Sequence, residues 1–282
     1  MSPATPPTSG GAPDLRAVAI IPARLASERL PRKMLLEATG LPLCVHTARN
    51  VRASGAFVRV VLAVDSEETL AAAARHQVEA RMTRVDHQSG SDRVNECFSS
   101  LRAEGERADV VVNVQGDEPD VEHDDLARLV GAFRERDVEM ATLAVPLDDE
   151  AQFQSASVVK VVCDARGDAL YFSRAPIPAR GHARESARSE PLARRHVGVY
   201  AFRPETLERF CALPRGVLET RESLEQLRWL ENGGRLRVLA ASRAPRGIDT
   251  RADYDEFVAR THAAKALKNR PETGDLEKAR AG

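Results

Sequence analysis

Residues 19 to 35, Ala19-Ile20-Ile21-Pro22-Ala23-Arg24-Leu25-Ala26-Ser27-Glu28-Arg29-Leu30-Pro31-Arg32-Lys33-Met34-Leu35, carry an apolar strand directly into a loop bearing Arg24, Ser27, Arg29 and Lys33. Open α/β sheets bind ligands outside the carboxyl ends of their strands. Cations and a hydroxyl at such a place suit phosphate oxygens. The loop has neither the GxxxxGK[ST] pattern of a P-loop nor the GxGxxG pattern of a dinucleotide site, so any phosphate it holds is held by other means. Arg24 and Lys33 can neutralise phosphate charge, Ser27 can donate to an oxygen, and Pro31 stiffens the backbone between Arg29 and Lys33. On its own the segment also reads as a solvated basic loop.

Outward from this strand the chain alternates β-branched runs with helical periodicity. Strands are expected at 17–23, 58–65 and 109–115, with helices near 42–53, 66–77, 91–103 and 123–135. Pro42 suits a first helical turn and Gly55 the residue just past the helix end. The run Val110-Val111-Val112-Asn113-Val114 is continuously apolar apart from Asn113, as a strand covered on both faces should be. The expected fold is therefore α/β, a mostly parallel twisted sheet with helices on both faces. Past residue 140 the rhythm becomes strand-rich, with strands at 141–146, 157–163, 169–174 and 196–202, which reads as a smaller subdomain over about 140–203. A helix near 220–232, a strand at 236–241 and a helix near 251–266 follow. The domain thus spans 15–266, between a Pro/Ser/Thr/Gly-rich tail at 1–14 and a charged tail at 267–282. The arginine-rich stretch 179–194 lacks apolar period and aromatic interleaving, and reads as a solvated loop.

With 41 basic and 42 acidic residues the net charge is -1, which lacks the positive field of a nucleic-acid binder and points to a small-molecule partner. No apolar run approaches the roughly 18 residues of a membrane span, and residues 1–14 lack the build of a signal peptide. Cys44, Cys97, Cys163 and Cys211 form no CxxC pair, so they read as core thiols of a cytoplasmic protein rather than zinc ligands.

The second chemical motif is Val112-Asn113-Val114-Gln115-Gly116-Asp117-Glu118-Pro119, where a buried strand ends by presenting carboxylates. Gly116 lets the backbone pass close to a ligand, and Asp117 is placed to hold a metal. Magnesium is the natural candidate, because nucleotide sites bind it through one or two carboxylates plus phosphates. An Asp that only makes a turn or caps the next helix is the alternative. Asp249, in Gly247-Ile248-Asp249-Thr250, is a candidate second carboxylate, although an Asp before a helix is also a common N-cap. His87 reads as a surface loop histidine, since one His without a partner is no catalytic device.

These residues resemble the CMP-Kdo synthetases, the 3-deoxy-manno-octulosonate cytidylyltransferases, over about residues 17–265. Eight motifs carry the resemblance in order: 20–33 (IIPARLASERLPRK), 82–93 (MTRVDHQSGSDR), 112–119 (VNVQGDEP), 140–146 (MATLAVP), 169–178 (ALYFSRAPIP), 195–203 (RHVGVYAFR), 224–230 (LEQLRWL) and 247–250 (GIDT). In the first loop the family usually reads Leu-Pro-Gly-Lys-Pro-Leu, whereas this chain has Arg32 and Met34 in place of the Gly and the second Pro.

The resemblance implies a nucleotide-diphospho-sugar transferase-like fold. It also implies transfer of CMP from CTP to the anomeric hydroxyl of 3-deoxy-D-manno-octulosonate (Kdo), with release of pyrophosphate, for lipopolysaccharide synthesis. By it Arg24, Ser27 and Lys33 grip the triphosphate, Asp117 and Asp249 bind Mg²⁺, and Arg24, Lys33, Asp117 and Asp249 form the catalytic set. The further CTP contacts it implies are Met82, Thr83, Arg84, Ser89, Gly90, Arg93 and Gln115, with the loop over 82–93 near the cytidine. Candidate sugar contacts are Gln115, Arg174, His196, Tyr200, Glu222, Glu225 and Gln226. On one helix Glu222, Glu225 and Gln226 would share a face, although Ser223 and Gln226 also read as a capping box. On one strand His196 and Tyr200 look the same way across Gly198. A homodimer is expected from the same likeness. The alternatives are a cytidylyltransferase for another acidic sugar, such as an amino-Kdo or a sialic-acid-like sugar, and a catalytically silent CTP sensor.

Overall fold

The computed structural model describes residues 15–179 and 193–268. The expected tail at 1–14, most of the loop 179–194 and all but the first two residues of the tail 267–282 lie outside them.

The opening strand β1 (Ala17–Ala23) is buried at every position, and alternate residues feed two cores. Ala17, Ala19 and Ile21 pack with Leu62, Val112 and the residues Val45 and Leu126. Val18 and Ile20 pack on the other side with Val61, Val111, Val94, Phe98 and Phe210. Since successive strand side chains point to opposite faces, this division requires helices on both. On the first face lie α1 (Leu43–Ala53), α2 (Glu67–Arg75) and α4 (His123–Gly131), and on the second α3 (Gly90–Ala103) and α6 (Pro204–Ala212).

The helix boundaries follow from local chemistry. Pro42 is the N-cap residue of α1, and Gly55 beyond its end takes φ 68°, open to glycine at no steric cost. Ser66 and Ser89 cap α2 and α3 by accepting from the backbone N–H of Thr69 and Asp92.

β1 pairs in parallel with β2 (Arg59–Val64) and β4 (Val110–Asn113), and β2 with the short β3 (Ala80–Met82). Past α4 the chain adds β5 (Met140–Leu147), α5 (Glu150–Gln154), β6 (Lys160–Cys163), β7 (Ala169–Ser173), β8 (Ala193–Phe202) and β9 (Arg237–Ala240). The main path is β3-β2-β1-β4-β8-β5-β9. β8 runs antiparallel to both β4 and β5, while β9 is parallel to β5. The strands expected past residue 140 all form, and β8 joins them to the main sheet. The β6–β7 antiparallel pair attaches through β6 to the start of β8.

Two expectations change. The single helix at 220–232 is two short helices, α7 (Val217–Glu222) and α8 (Leu227–Glu231), because Ser223 takes the left-handed conformation at φ 53°, ψ 47°. Ser223 therefore does not cap a helix with Gln226. Helices α5 and α6 and strand β3 are absent from the sequence reading, although Pro204 in the first turn of α6, with Leu207 and Phe210 at helical spacing, is a readable start signal. The chain closes with α9 (Arg251–Lys268). Among the described residues no helix is long and apolar enough to cross a membrane.

Candidate active site

The loop after β1 ends in a 3-10 turn over Lys33–Leu35, with Arg32 at its start in the left-handed region, φ 57° and ψ 29°. The turn carries Lys33 inward, leaving its side chain 8% exposed. Its ammonium lies 2.6 Å from Asp117 Oδ2 and 3.2 Å from Asp249 Oδ1, and Arg29 reaches the same Asp249 oxygen at 2.9 Å. Three segments far apart in sequence thus meet in one charge cluster.

Each partner is freed or fixed by its own element. Gly116, just past β4, is obligatory, because a Cβ there would stand 2.7 Å from the carbonyl oxygen of Pro22. The sequence places this close approach against a ligand; the structure instead uses it for the backbone of β1 and the Met34 side chain. Thr47 of α1 donates to the Gly116 carbonyl at 2.8 Å, and Ile248 N–H donates to the Asp117 carbonyl at 3.0 Å, which ties the two carboxylate loops together. Asp249 does not cap α9. Thr250 and Asp253 form a reciprocal capping box, Thr250 Oγ1 accepting from Asp253 N–H at 3.2 Å and Asp253 Oδ2 from Thr250 N–H at 2.7 Å. With the helix end satisfied, the Asp249 carboxylate turns to Lys33 and Arg29.

Among the described residues no three or more His, Cys, Asp or Glu side chains gather into a metal-binding group, so any metal here rests on two carboxylates. The Asp117–Asp249 pair already accommodates a cationic head group, and its donors are hard oxygens, so it fits Mg²⁺ with the remaining ligands left to substrate and water.

Beside this cluster lies a polar region of another kind. Gln115 Nε2 donates to the Gly198 carbonyl at 3.3 Å. Buried oxygens of Asn113 (Oδ1), Glu118 (Oε2) and Glu225 (Oε2) and the buried Nε2 of Gln226 have no partner within the protein. An unmatched buried polar atom costs about 1–3 kcal/mol, so each of these groups asks for a partner that the protein itself does not supply. Burial, reinforced by Asp117, pushes the Glu118 carboxyl up to about 8. Burial also raises Glu225, against hydrogen bonds from Ser91 and Ser89. Glu118 was not anticipated, and its only sequence signal is its place beside Asp117.

His196 and Tyr200 share a face of β8 as expected, with ring centroids 5.3 Å apart, and Phe172 stands edge-on to His196 at 5.0 Å. Thr142 Oγ1 lies 3.0 Å from His196 Nε2 and 2.8 Å from the Val199 carbonyl. That hydroxyl has one proton and a carbonyl only accepts, so the ring donates through Nε2 and keeps Nδ1 as an acceptor. Desolvation lowers the His196 pKa to about 3, and burial raises Tyr200 well above its ordinary value. Both side chains are neutral at physiological pH.

The break at Ser223 corrects the expected face of Glu222, Glu225 and Gln226. Glu222 turns to β7, accepting from Ser173 Oγ at 2.7 Å and from Arg174 N–H at 2.9 Å. Glu225 turns to α3, accepting from Ser91 Oγ at 2.9 Å. Glu222 is an anchor for the Arg174 segment, and Arg174 in turn donates through Nε to the Glu222 carbonyl at 2.8 Å. Gln226 is 1% exposed.

Of the residues expected to bind CTP, Arg24, Ser89 and Gly90 line one cavity of ≈ 420 Å³ together with Glu225. Ser27 lines a second, of ≈ 440 Å³. Arg93 and Thr83 are buried, at 0% and 4% exposure, and are bonded to each other (Arg93 NH1 to Thr83 Oγ1, 2.6 Å), so they support the site from beneath. Met82 is exposed, and Arg84 pairs with Asp86 on the surface at 3.0 Å. His87 has a partner after all: its side chain is largely buried and its Nε2 pairs with Glu96 of α3, which also accepts from Arg84 N–H at 3.2 Å. All four cysteines are free, and burial pushes Cys44 and Cys97 up to about 12, which leaves them unreactive.

A basic loop facing paired carboxylates at the carboxyl edge of a parallel sheet is the arrangement of a nucleotidyl transfer site. The cytidylyltransferase family profile matches residues 18–238, and the chain belongs to that family. Within it, the chain is a member of the 3-deoxy-manno-octulosonate cytidylyltransferase group. It is 47% identical over 256 residues to the protein of that name from Leptothrix cholodnii, covering 89% of this chain and 92% of the relative. Its identity to the one from Methylibium petroleiphilum is 46% over 253 residues, covering 86% and 94%. Among solved structures it resembles CMP:2-keto-3-deoxy-manno-octonic acid synthetase complexed with CTP, with a TM-score of 0.80, 35% identity and coverage of 88% of this chain and 99% of that one.

Proposed function

We propose that this chain transfers CMP from CTP to the anomeric hydroxyl of Kdo. A bond forms between the sugar oxygen and the α-phosphorus, the bond from the α-phosphorus to the bridging oxygen breaks, and pyrophosphate leaves as the hydroxyl proton is lost. The observation that carries this reading is Lys33 held between Asp117 and Asp249, next to a region of unmatched buried polar atoms. The first suits a triphosphate and the second a polyhydroxylated acceptor.

Arg24, Arg29 and Lys33 offset charge on the triphosphate and the departing pyrophosphate, and Ser27 donates to its oxygens. Gln115, Glu118, Glu225, Gln226 and His196 Nδ1 orient the sugar hydroxyls. Alignment and charge neutralisation supply most of the catalysis in phosphoryl transfer. Asp117 and Asp249 would hold Mg²⁺, which when bound acts as a Lewis acid on the phosphate oxygens. We further propose a cytoplasmic homodimer, on the family likeness, to be checked by sedimentation.

The test is pyrophosphate release with each of the four nucleoside triphosphates against a panel of ulosonic acids, with and without Mg²⁺. Release only with CTP, Kdo and the metal is expected. Turnover with a sialic-acid-like or amino sugar in preference to Kdo would replace the acceptor, and CTP binding without turnover would leave a sensor.

A further inference from the structure

Asp65 is the first residue past β2, and its two carboxylate oxygens serve different loops. Oδ1 accepts from the backbone N–H of Leu25 at 2.9 Å, in the phosphate loop between Arg24 and Ser27. Oδ2 faces Arg93 NH2 at 3.2 Å, an ion pair whose side chains are 0% and 9% exposed. Arg93 NH1 continues to Thr83 Oγ1 at 2.6 Å, and Thr83 is pinned to the end of β2 by its hydroxyl and its N–H, each 2.8 Å from the Val64 carbonyl. The loop 24–33, the loop 83–89 and helix α3 therefore converge on a single buried carboxylate.

The ≈ 440 Å³ cavity lies where these two loops face each other, with Leu25, Ser27 and Pro31 on one wall, Val85 on the other, and Asp65 and Ser66 between them. Charge-assisted hydrogen bonds are the strong and geometrically demanding ones. A planar guanidinium is suited to hold two partners in fixed relation.

We propose that Asp65 is a positioning residue for the nucleotide. Through Leu25 N–H on one side and the Arg93–Thr83 pair on the other, it fixes the spacing between the loop that grips the triphosphate and the loop that meets the base. The inference rests on the CTP reading above and adds to it a determinant of CTP affinity that lies beneath both loops.

Asp65→Asn keeps an oxygen for Leu25 but turns an amide toward Arg93, so it uncouples the loops with little change in volume. Wild-type turnover with CTP and Kdo is measured first, and its absence overturns the function proposed above rather than the spacing role. Given that turnover, the variant is expected to raise the KM for CTP about tenfold and leave the KM for Kdo within about twofold. Equilibrium dialysis of CTP should report the same loss. A residue that only stabilises the fold would lower kcat through the folded fraction, read from the thermal melt, with both KM values unchanged, and that result overturns the proposal. Should Asp65→Asn fail to fold, Thr83→Val leaves the Asp65–Arg93 ion pair intact and removes Arg93's outer partner together with the hydroxyl's bond to the Val64 carbonyl, while the Thr83 N–H bond to the same carbonyl stays. It is expected to raise the CTP KM about threefold, and an unchanged value overturns the proposal.

Discussion

The charge cluster at Lys33 and the polar surface around Glu225 adjoin each other yet meet their polar demands in opposite ways. At Lys33 each charge has a partner within the protein, and ligands must replace those partners. Around Glu225 and Gln226 buried donors and acceptors stand unmatched, at a cost the fold carries permanently. The first arrangement tolerates a highly charged substrate without leaving naked charge behind when product departs. On the function proposed above the second selects, because groups left unmatched by the protein favour a ligand that can match them.

Breaking the cluster should have the largest effect. Asp117→Asn removes one carboxylate charge without changing core volume, and turnover should fall by about two orders of magnitude or more with the fold near wild type. Initial rates of pyrophosphate release, with circular dichroism as the control, check this, and near-normal turnover would refute the assignment of Asp117. On the other side, Gln226→Leu removes the unmatched Nε2 and keeps most of the volume. The KM for Kdo should rise about tenfold while the thermal midpoint holds or rises. A lower midpoint with unchanged KM would make Gln226 an ordinary structural residue.

A pH titration of stability sharpens the contrast further. His196 has a folded pKa of about 3 against an unfolded value near 6.5, so between those values the unfolded chain binds the extra proton. Stability from this residue is therefore present above about pH 6.5 and declines as pH falls toward 3. His196→Gln should flatten that part of the acid limb in urea unfolding, and an unchanged limb would rule His196 out as its source. The smallest effect is expected at Arg32. Its left-handed backbone costs about 1–2 kcal/mol, partly offset by its exposed pair with Glu68 and by the added chain entropy of glycine. Arg32→Gly should therefore raise stability by less than about 1 kcal/mol, and a clear fall in the melting temperature would mean that the Glu68 contact outweighs the backbone strain.

Much of this architecture was legible in the sequence because period and punctuation are local. β1 needed only its apolar run, and α1 only Pro42 and Gly55. Lys33 and Asp117 could be singled out because strand ends in an open α/β sheet point at ligands, whereas Asp249, nine residues past β9, is drawn in by the family resemblance. What stayed hidden depends on crossings. Asp65 gains its role from a partner forty residues earlier, and His87 from a glutamate on the next helix. The break at Ser223 escaped because a serine in the left-handed region carries none of the glycine signature by which such turns are read. It put Glu222 on a different element from Glu225, so a helical spacing rule joined two side chains that serve opposite neighbours.

Strand β8 runs against the strands on either side of it. Tyr200 sits opposite Asn113 at the end of β4, so the residues before it, back through His196, lie past the edge where β4 delivers Asp117. Donor and acceptor chemistry thus reach one opening from chain segments of opposite polarity. The start of β8 makes its ladder bonds to β5 and β6 rather than to β1 or β4, so a change there reaches the opening without passing through the strands that deliver Lys33 and Asp117.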